Sequence, residues 1–276
     1  MAAKRVVVLG ARGVFGSLLV RELEGKYDVV PAGRGATFES AFAVACTAGP
    51  FQQLDRGLVR AAVEAGAHWL DIADDERWFF DLLDDRSLDQ LAREKNVAVI
   101  PGLSSLPAVS GALVRRLMGD RQSCLSGQAG LPVLHITLFI GNRNAKGAAA
   151  IASAAASGGR VLKSPDRELL RRELGVDAEA HVEFESALAL PMLRLLGRWP
   201  RFAAKIAKPF RFGTSGGAVE VRAADRVARV TSNDQRIAIL PIVFALERLE
   251  GLSGCLTPSV FDAEELLAFV SYRREG

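Results

Sequence analysis

The chain has few of the residues that carry nucleophilic, metal-binding and proton-relay chemistry. Its 276 residues include three cysteines, three histidines and two tyrosines. The cysteines show neither a CxxC motif nor zinc-ligand spacing, so no metal site is expected and a reduced, cytoplasmic compartment is favoured. Neither Tyr27 nor Tyr272 has a lysine four residues later, which excludes the Tyr-x-x-x-Lys pair of short-chain dehydrogenases and sugar-nucleotide epimerases.

Other signatures are also missing. No HExxH or P-loop motif is present. The single GxSxG string, Gly213–Gly217, precedes a strand and not a helix, which argues against a hydrolase elbow. A net charge of +3 is too small for a general nucleic-acid binder. The uncharged stretch 123–142 is interrupted by Gly, Gln, Pro and His, so it predicts loop plus strand and no membrane span. The apolar run near the N-terminus is too short for a signal peptide.

A glycine-rich turn near the N-terminus is the most informative motif. Val6–Leu9 predicts a buried parallel strand. The following GARGVFG, with glycines 10, 13 and 16, leads into an amphipathic helix that Gly25 is placed to end. Free amides at such a helix start form an anion site suited to a pyrophosphate. The candidate cofactor-binding residues here are Gly10, Arg12, Gly13, Val14, Phe15 and Gly16.

The end of the next predicted strand indicates which dinucleotide would bind. Asp28–Ala32 is followed by Gly33-Arg34-Gly35, where NAD-binding units commonly carry an acidic residue. A guanidinium suits a 2′-phosphate, so Arg34, with help from Arg12, favours NADP over NAD. The alternative is that both arginines are solvated surface residues.

Strands alternate with helices through the first half. The further predicted strands are 42–46, 69–72 and 97–100, with helices over 58–65 and 87–95 between them. This alternation predicts a doubly wound parallel sheet, whose ligands lie beyond the carboxyl ends of the strands. The segments along that rim are 10–16, Arg34, 48–51, 71–75 and 101–105.

Several segments resemble a known family. TAGPF, VRAAVEAGAHWLDIADD and VIPGLSSLPAVSGALVRRL are similar to the NADP-binding part of the saccharopine dehydrogenase-like oxidoreductases. FESALALPMLRLLGRW, AILPIVFALERLEG and GCLTPSVFDAEELLAFV resemble its second half more faintly. The resemblance implies a Rossmann domain, a second domain whose sheet often forms a homodimer contact, and hydride chemistry with NADP(H). It implies that glycines 10, 13 and 16 hold the pyrophosphate, that Arg34 holds the 2′-phosphate, and that Ala48, Gly49 and Pro50 lie along the ribose and nicotinamide.

One departure from the family concerns the sheet edge. Only seven residues, 35–41, separate Arg34 from the strand that starts at Phe42. Seven extended residues reach about 23–25 Å, which can cross a sheet, whereas a crossover containing a helix needs about 10–12 residues or more. The sheet is therefore expected to be trimmed on the adenine side, so that cofactor binding is either weaker or lost.

The second half predicts a smaller domain. Residues 133–140, 219–221 and 228–232 read as strands and 148–157 as a small-residue helix. We expect a Rossmann domain over 1–122, with C-terminal helices within 235–276 packing back on it, and a substrate or dimerisation domain over 123–234. The segment 191–211 has six cations and no acids. It fits a solvated basic edge, or else contact with a membrane surface or an anionic substrate.

The prediction is therefore an α/β protein with a trimmed, Rossmann-type doubly wound parallel sheet and a second α+β domain with a mixed sheet. The function expected is NADP-dependent hydride transfer to or from a small imine, carbonyl or amino-acid-like substrate. The alternative is a non-catalytic NADP-binding or regulatory relative with a degenerate Rossmann domain. The catalytic residue is unknown; Asp71 and Lys146 are candidates, each with an ordinary alternative as a capping carboxylate or a solvated lysine. His68 precedes its strand and is expected at the opposite end of the sheet.

Overall fold

The computed structural model describes residues 3–33, 35–119, 133–141, 143, 161–185, 214–224 and 226–272. The chain divides into two units. The first unit comprises Met1–Ala108 and Ala238–Phe261, and the second comprises Val109–Ile237 and Asp262–Gly276.

Each unit contains its own sheet. The strands are β1 (Arg5–Leu9), β2 (Asp28–Ala32), β3 (Ala43–Cys46), β4 (His68–Asp71), β5 (Ala98–Ile100), β6 (Leu134–Ile140), β7 (Val161–Leu162), β8 (Ala178–Phe184), β9 (Gly217–Ala223), β10 (Arg226–Ser232) and β11 (Gly254–Cys255). The α-helices are α1 (Val14–Leu23), α2 (Gly57–Glu64), α3 (Glu76–Leu83), α4 (Arg86–Glu94), α5 (Ser110–Met118), α6 (Asp166–Leu174), α7 (Leu240–Leu246) and α8 (Ala263–Tyr272).

The first unit is a parallel six-stranded sheet. Its strand order is β11-β5-β4-β3-β1-β2, and every pairing is parallel. All residues of β3 and β5 are buried, as expected of strands that are covered on both faces. The predicted doubly wound sheet is therefore confirmed. The strand β11, which the sequence did not predict, completes it beside β5.

Helix ends in this unit follow simple capping chemistry. Asp75 begins α3 by accepting a hydrogen bond from the Trp78 amide, and Asp85 begins α4 by accepting from the amides of Ser87 and Leu88. Such caps typically stabilise a helix by about 1 kcal/mol. These local signals place the helices between the strands, where their apolar sides cover the sheet.

The trimmed edge that the sequence predicted is confirmed. Among the described strands, β2 is the edge of the sheet and pairs with β1 alone. The chain then crosses to the other side of β1 through an irregular segment in which Phe38 and Ala41 are buried. Pro31 lies within β2, and proline is typical of edge strands. Val30 is 37% exposed, so this part of the sheet has little cover from the described residues.

The second unit is built on a mixed sheet, as predicted. Its five strands lie in the order β10-β9-β6-β8-β7. The strands β6 and β8 are parallel, and the remaining pairs are antiparallel. The helix α5 packs on β9 and β10, and α6 packs on β8. The predicted meander corresponds to β9 and β10, whereas β8 was not predicted. The predicted helix 148–157 lies outside the described residues.

The division of the chain differs from the expected one at α5 and α8, which both belong to the second unit. The sequence assigned residues 1–122 and 235–276 to the first domain and 123–234 to the second. In the structure α7 packs on α1 in the first unit, but α8 packs on α5 in the second unit. Arg116 of α5 donates to both carboxylate oxygens of Glu264 of α8, at 2.7 and 2.6 Å. Their apolar contact and this ion pair explain why α5 and α8 stay together. None of the described helices has the length and apolarity needed to cross a membrane.

We expect the two strands β1 and β2 to differ in how much their valines contribute to stability. Val8 of β1 is fully buried, whereas Val30 of β2 is exposed at the edge. Val8→Ala should lower the free energy of unfolding by about 2–3 kcal/mol, since it removes buried methyl groups and leaves a cavity. Val30→Ala, the matched control, should cost less than about 1 kcal/mol. Urea unfolding measures both, and equal losses would contradict an uncovered β2.

Candidate functional site

The carboxyl ends of the four adjacent strands β2, β1, β3 and β4 lie side by side. In the register of the sheet, Leu9 of β1 is paired with Ala32 of β2 and with Cys46 of β3, and Cys46 is paired with Asp71 of β4. The loops that follow these strands therefore begin at one edge of the sheet. In parallel α/β sheets this carboxyl edge is where ligands bind, so the predicted rim exists in the first unit.

The glycine turn brings α1 against the end of β1. The Gly10 carbonyl accepts a hydrogen bond from the Gly13 amide at 2.8 Å, and Gly13 is the N-cap of α1. A Cβ atom on Gly16 would lie 2.1 Å from the Gly10 oxygen, a distance that no side chain tolerates. Residue 16 must therefore be glycine for the helix to start at this place.

The loop after β3 touches the same turn. Gly10 has a φ of +80°, and a Cβ atom there would lie 2.8 Å from the Cα and N of Ala48. Thr47 donates both its hydroxyl and its amide to the Leu9 carbonyl, at 2.9 Å each. The turn and the loop thus form one joined surface. Thr47 was not among the predicted site residues, because its role depends on the pairing of β1 with β3.

The rest of the β3 loop lies beside this junction. Gly49 and Pro50 are exposed, and Phe51 is buried against Trp78, with ring centroids 5.5 Å apart. The buried phenylalanine anchors the loop and leaves the three predicted residues before it at the edge of the site.

The start of α1 is open and carries no negative charge. Gly13 and Arg12 are exposed. None of the described side chains caps the helix, and its first turn contains no acidic residue. The amides of Val14, Phe15 and Gly16 have no carbonyl within the helix to bind, and they lie at the positive end of its dipole. This arrangement is typical of a phosphate-binding site.

Of the two arginines predicted to bind the cofactor, the structure describes only Arg12. Arg12 makes no ion pair with any of the described residues, so its charge is available to a ligand. Arg34 lies outside the described residues. Its neighbour Gly33 directly follows β2 and has open space where a Cβ atom would lie.

Asp71 is a fully buried carboxylate with all its bonding positions used. One oxygen accepts from the indole nitrogens of Trp69 and Trp78 at 2.9 Å, and the other accepts from the amides of Ala73 and Gly102 at 3.0 Å. Burial raises the pKa of Asp71, and these four hydrogen bonds oppose the rise. The group holds the loops after β4 and β5 together. Its geometry therefore offers no contact to a substrate, which removes the basis for Asp71 as a catalytic candidate.

His68 lies at the amino end of β4, opposite to the rim, as the sequence predicted. Its Nδ1 accepts a hydrogen bond from the Ala98 amide at 2.9 Å, and its ring packs against Phe42. Burial, with a smaller effect of the Lys4 ammonium, lowers the pKa of His68 from 6.5 to about 4. A neutral imidazole that joins two strands has a structural role.

The remaining reactive groups include two cysteines and several basic residues. Burial and the nearby Asp71 raise the pKa of the Cys46 thiol, and burial raises that of Cys255 to about 12, so neither described cysteine is a thiolate nucleophile. Lys146 and the basic segment 191–211 lie outside the described residues. In the second unit, the backbone amide of Arg143 donates a hydrogen bond to the Thr214 carbonyl at 3.0 Å.

Comparison with known proteins supports the fold. No family model and no curated protein matches this sequence. Among solved structures, a meso-dapdh mutant with DAP from Clostridium tetani gives a TM-score of 0.51 with 14% identity over 95% of each chain. A dipicolinate-bound dihydrodipicolinate reductase from a Paenisporosarcina species gives 0.46 with 8% identity, over 95% of this chain and 100% of that one. An engineered D-amino acid dehydrogenase bound to NADP⁺ gives 0.48 with 14% identity over 96% of each chain. The first of these shows a shared fold, and membership of the saccharopine dehydrogenase-like family stays a prediction.

We expect Gly16 to be far more sensitive to substitution than Gly33. Gly16→Ala places a methyl group on the Gly10 carbonyl and should cost about 3 kcal/mol or more of unfolding free energy. Gly33→Ala, the matched control, enters open space with no unusual φ and should change stability by less than about 0.5 kcal/mol. Chemical denaturation followed by circular dichroism measures both; a Gly16→Ala variant of normal stability would refute the close approach.

The lowered pKa of His68 predicts a pH dependence of stability. Between pH 6.5 and about 4 the unfolded chain binds a proton at His68 that the folded protein does not. The free energy of unfolding should therefore fall as the pH falls through this window. His68→Asn keeps an acceptor for the Ala98 amide but cannot titrate. Denaturation at several pH values should show a smaller acid loss for His68→Asn than for the wild type, and parallel curves would contradict the prediction.

Proposed function

We propose that the chain binds NADP(H) at the glycine turn and is an oxidoreductase acting on a small imine, carbonyl or amino-acid-like substrate, of the saccharopine dehydrogenase-like kind. The observation that supports this most directly is the open, uncapped start of α1, which the contact between Gly16 and the Gly10 carbonyl holds at the end of β1. Backbone amides in this position suit a diphosphate.

The residues around the turn give each part of the cofactor a partner. The amides of Val14, Phe15 and Gly16 would hold the pyrophosphate, with Arg12 adding charge. Arg34 would hold the 2′-phosphate. The loop of Ala48, Gly49 and Pro50 would lie along the ribose and nicotinamide, since this loop touches the turn at Gly10.

Bound NADP(H) would supply a hydride at the nicotinamide ring. This chain would have to supply the binding surface and a group that moves a proton. Asp71 is fully engaged in hydrogen bonds, so Lys146, the other candidate from the sequence, is the residue that we propose for this role. The fold shared with the meso-dapdh solved with DAP agrees with a small-molecule substrate but does not identify one. The homodimer and the cytoplasmic location stay predictions.

A second candidate function follows from the trimmed edge. Because β2 is the edge strand and Val30 is exposed, the described residues offer little surface to the adenine half of a dinucleotide. A protein of this kind would bind NADP(H) weakly and act as a binding or regulatory module. Oxidation of NADPH with a panel of imines, ketones and amino-acid-like compounds separates the two functions, since a binding module would bind NADPH and oxidise none.

Gly13→Asp separates cofactor binding from folding. The Gly13 backbone is extended, with a φ of −76° and a ψ of 173°, which suits an aspartate N-cap. The new carboxylate would occupy the helix amides and repel a phosphate, so the Kd for NADPH should rise by about two orders of magnitude. A Cβ atom at position 13 would lie 3.1 Å from the Gly10 oxygen, a tight contact that a small shift of the turn relieves, so the loss of stability should stay below about 2 kcal/mol. Fluorescence titration and urea unfolding measure the two effects, and unchanged NADPH binding would overturn the proposal.

Arg34→Ala tests the choice between cofactors. Loss of charged hydrogen bonds to the 2′-phosphate should weaken NADPH binding by about 10- to 100-fold and leave NADH binding nearly unchanged. Arg21→Ala, on the last turn of α1, is the matched control that removes a guanidinium away from the turn. Equal losses for both cofactors would argue against a 2′-phosphate contact, and no binding by the wild-type protein would exclude both functions above.

A further inference from the structure

On the face opposite to its helices, the sheet of the second unit carries a group of metal-ligating side chains. Along β6 and β8 apolar residues alternate with polar ones. Ile136, Ala180 and Val182 are buried on the side that the helices cover. His135, Glu179 and His181 project from the opposite side, and we refer to these three as the histidine cluster.

The strand register brings the cluster together. In the parallel β6–β8 pair, His135 is opposite Glu179, and His181 lies two residues beyond Glu179 on the same face. One ligand atom of each residue lies within 4.8 Å of the other two. The His181 Nε2 and a Glu179 carboxylate oxygen are 3.5 Å apart, and the two imidazole centroids are 6.1 Å apart.

The distance between His181 and Glu179 suits two ligands of a tetrahedral ion. Ligands about 2.0–2.1 Å from a tetrahedral metal are separated by about 3.3 Å, which is close to the 3.5 Å between His181 and Glu179. His135 is exposed, so rotation of its side chain can bring its imidazole to the same point. Two imidazoles and one carboxylate form the nitrogen and oxygen set that Zn²⁺ accepts, with a fourth position for water.

The charges around the cluster balance, since Arg222 and Arg229 are matched by Glu220 and Glu179. Arg222 of β9 faces His135 across the sheet, but its guanidinium donates to Glu220 at 3.0 Å. Arg229 of β10 also donates to Glu220, at 3.3 Å. The carboxylate of Glu179 is 48% exposed and adds a negative charge inside the cluster.

The histidines are also unevenly distributed. The chain has three, and two of them meet in this cluster although they belong to separate strands. The third, His68, is buried in the first unit with its Nδ1 bonded to a backbone amide. We propose that His135, Glu179 and His181 form a Zn²⁺ site that joins β6 to β8. The site uses no residue of the glycine turn, so it stands apart from the proposed function.

Zinc titration of untagged, full-length protein tests the proposal. Isothermal titration calorimetry should show one zinc ion per chain, and zinc should raise the melting temperature because it binds only the folded state. His135→Asn, His181→Asn and Glu179→Gln should each raise the Kd about tenfold or more, since each removes a ligand. Co²⁺ should give the strong visible absorption of a tetrahedral site in the wild type and not in the histidine variants.

Glu183→Gln is the matched control. Glu183 lies on the same face of β8, two residues beyond His181 and outside the cluster, so its substitution should leave the Kd for zinc within about twofold of the wild type. Circular dichroism establishes that each variant is folded. The absence of zinc binding by the wild type would overturn the proposal. So would stoichiometric binding that survives in the His135→Asn/His181→Asn double variant, because the ion would then lie elsewhere, as on a cysteine.

Discussion

The contact between Gly16 and the Gly10 carbonyl is the constraint on which the candidate site depends. A Cβ atom at position 16 would lie 2.1 Å from that oxygen, so the first turn of α1 can rest on the end of β1 only without a side chain. This close approach places the uncapped helix amides at the carboxyl edge of the sheet. The proposed phosphate site uses amides that the fold has already aligned, so binding needs little further ordering of the backbone.

A second constraint is the buried carboxylate of Asp71. Removing a carboxylate from water costs several kcal/mol unless hydrogen bonds replace the lost hydration. Two indoles and two backbone amides supply those bonds. Because the donors come from β4, the loop after β4, α3 and the loop after β5, the same bonds hold these parts of the rim in place. Thr47 holds the loop after β3 in place in the same way, because its hydroxyl and its amide both donate to the Leu9 carbonyl. The rim is thus shaped by buried polar groups whose hydrogen bonds lie within the protein.

The two units use their sheets differently. The central strands β3, β4 and β5 of the first sheet are fully buried, and the function of this sheet is expected at the strand ends. The second has one buried and one polar face, and the polar face carries the histidine cluster. The helices α5 and α8 belong with this second sheet because their apolar sides and the Arg116–Glu264 pair meet there. The short segment after β2 leaves the first sheet without the further strand that doubly wound dinucleotide folds usually place beyond it.

The sequence by itself determined the features that depend on neighbouring residues. Apolar runs predicted β1, β3 and β4; GARGVFG predicted the turn into α1; and the seven residues 35–41 excluded a helix and a strand, because chain length limits what a segment can span. Only the tertiary structure decided which distant groups meet. The donors around Asp71, the bonds from Thr47 to Leu9, the cluster of His135 with Glu179 and His181, and the position of α8 all depend on strand register and helix packing. Such contacts join residues far apart in the chain, and no local pattern records them.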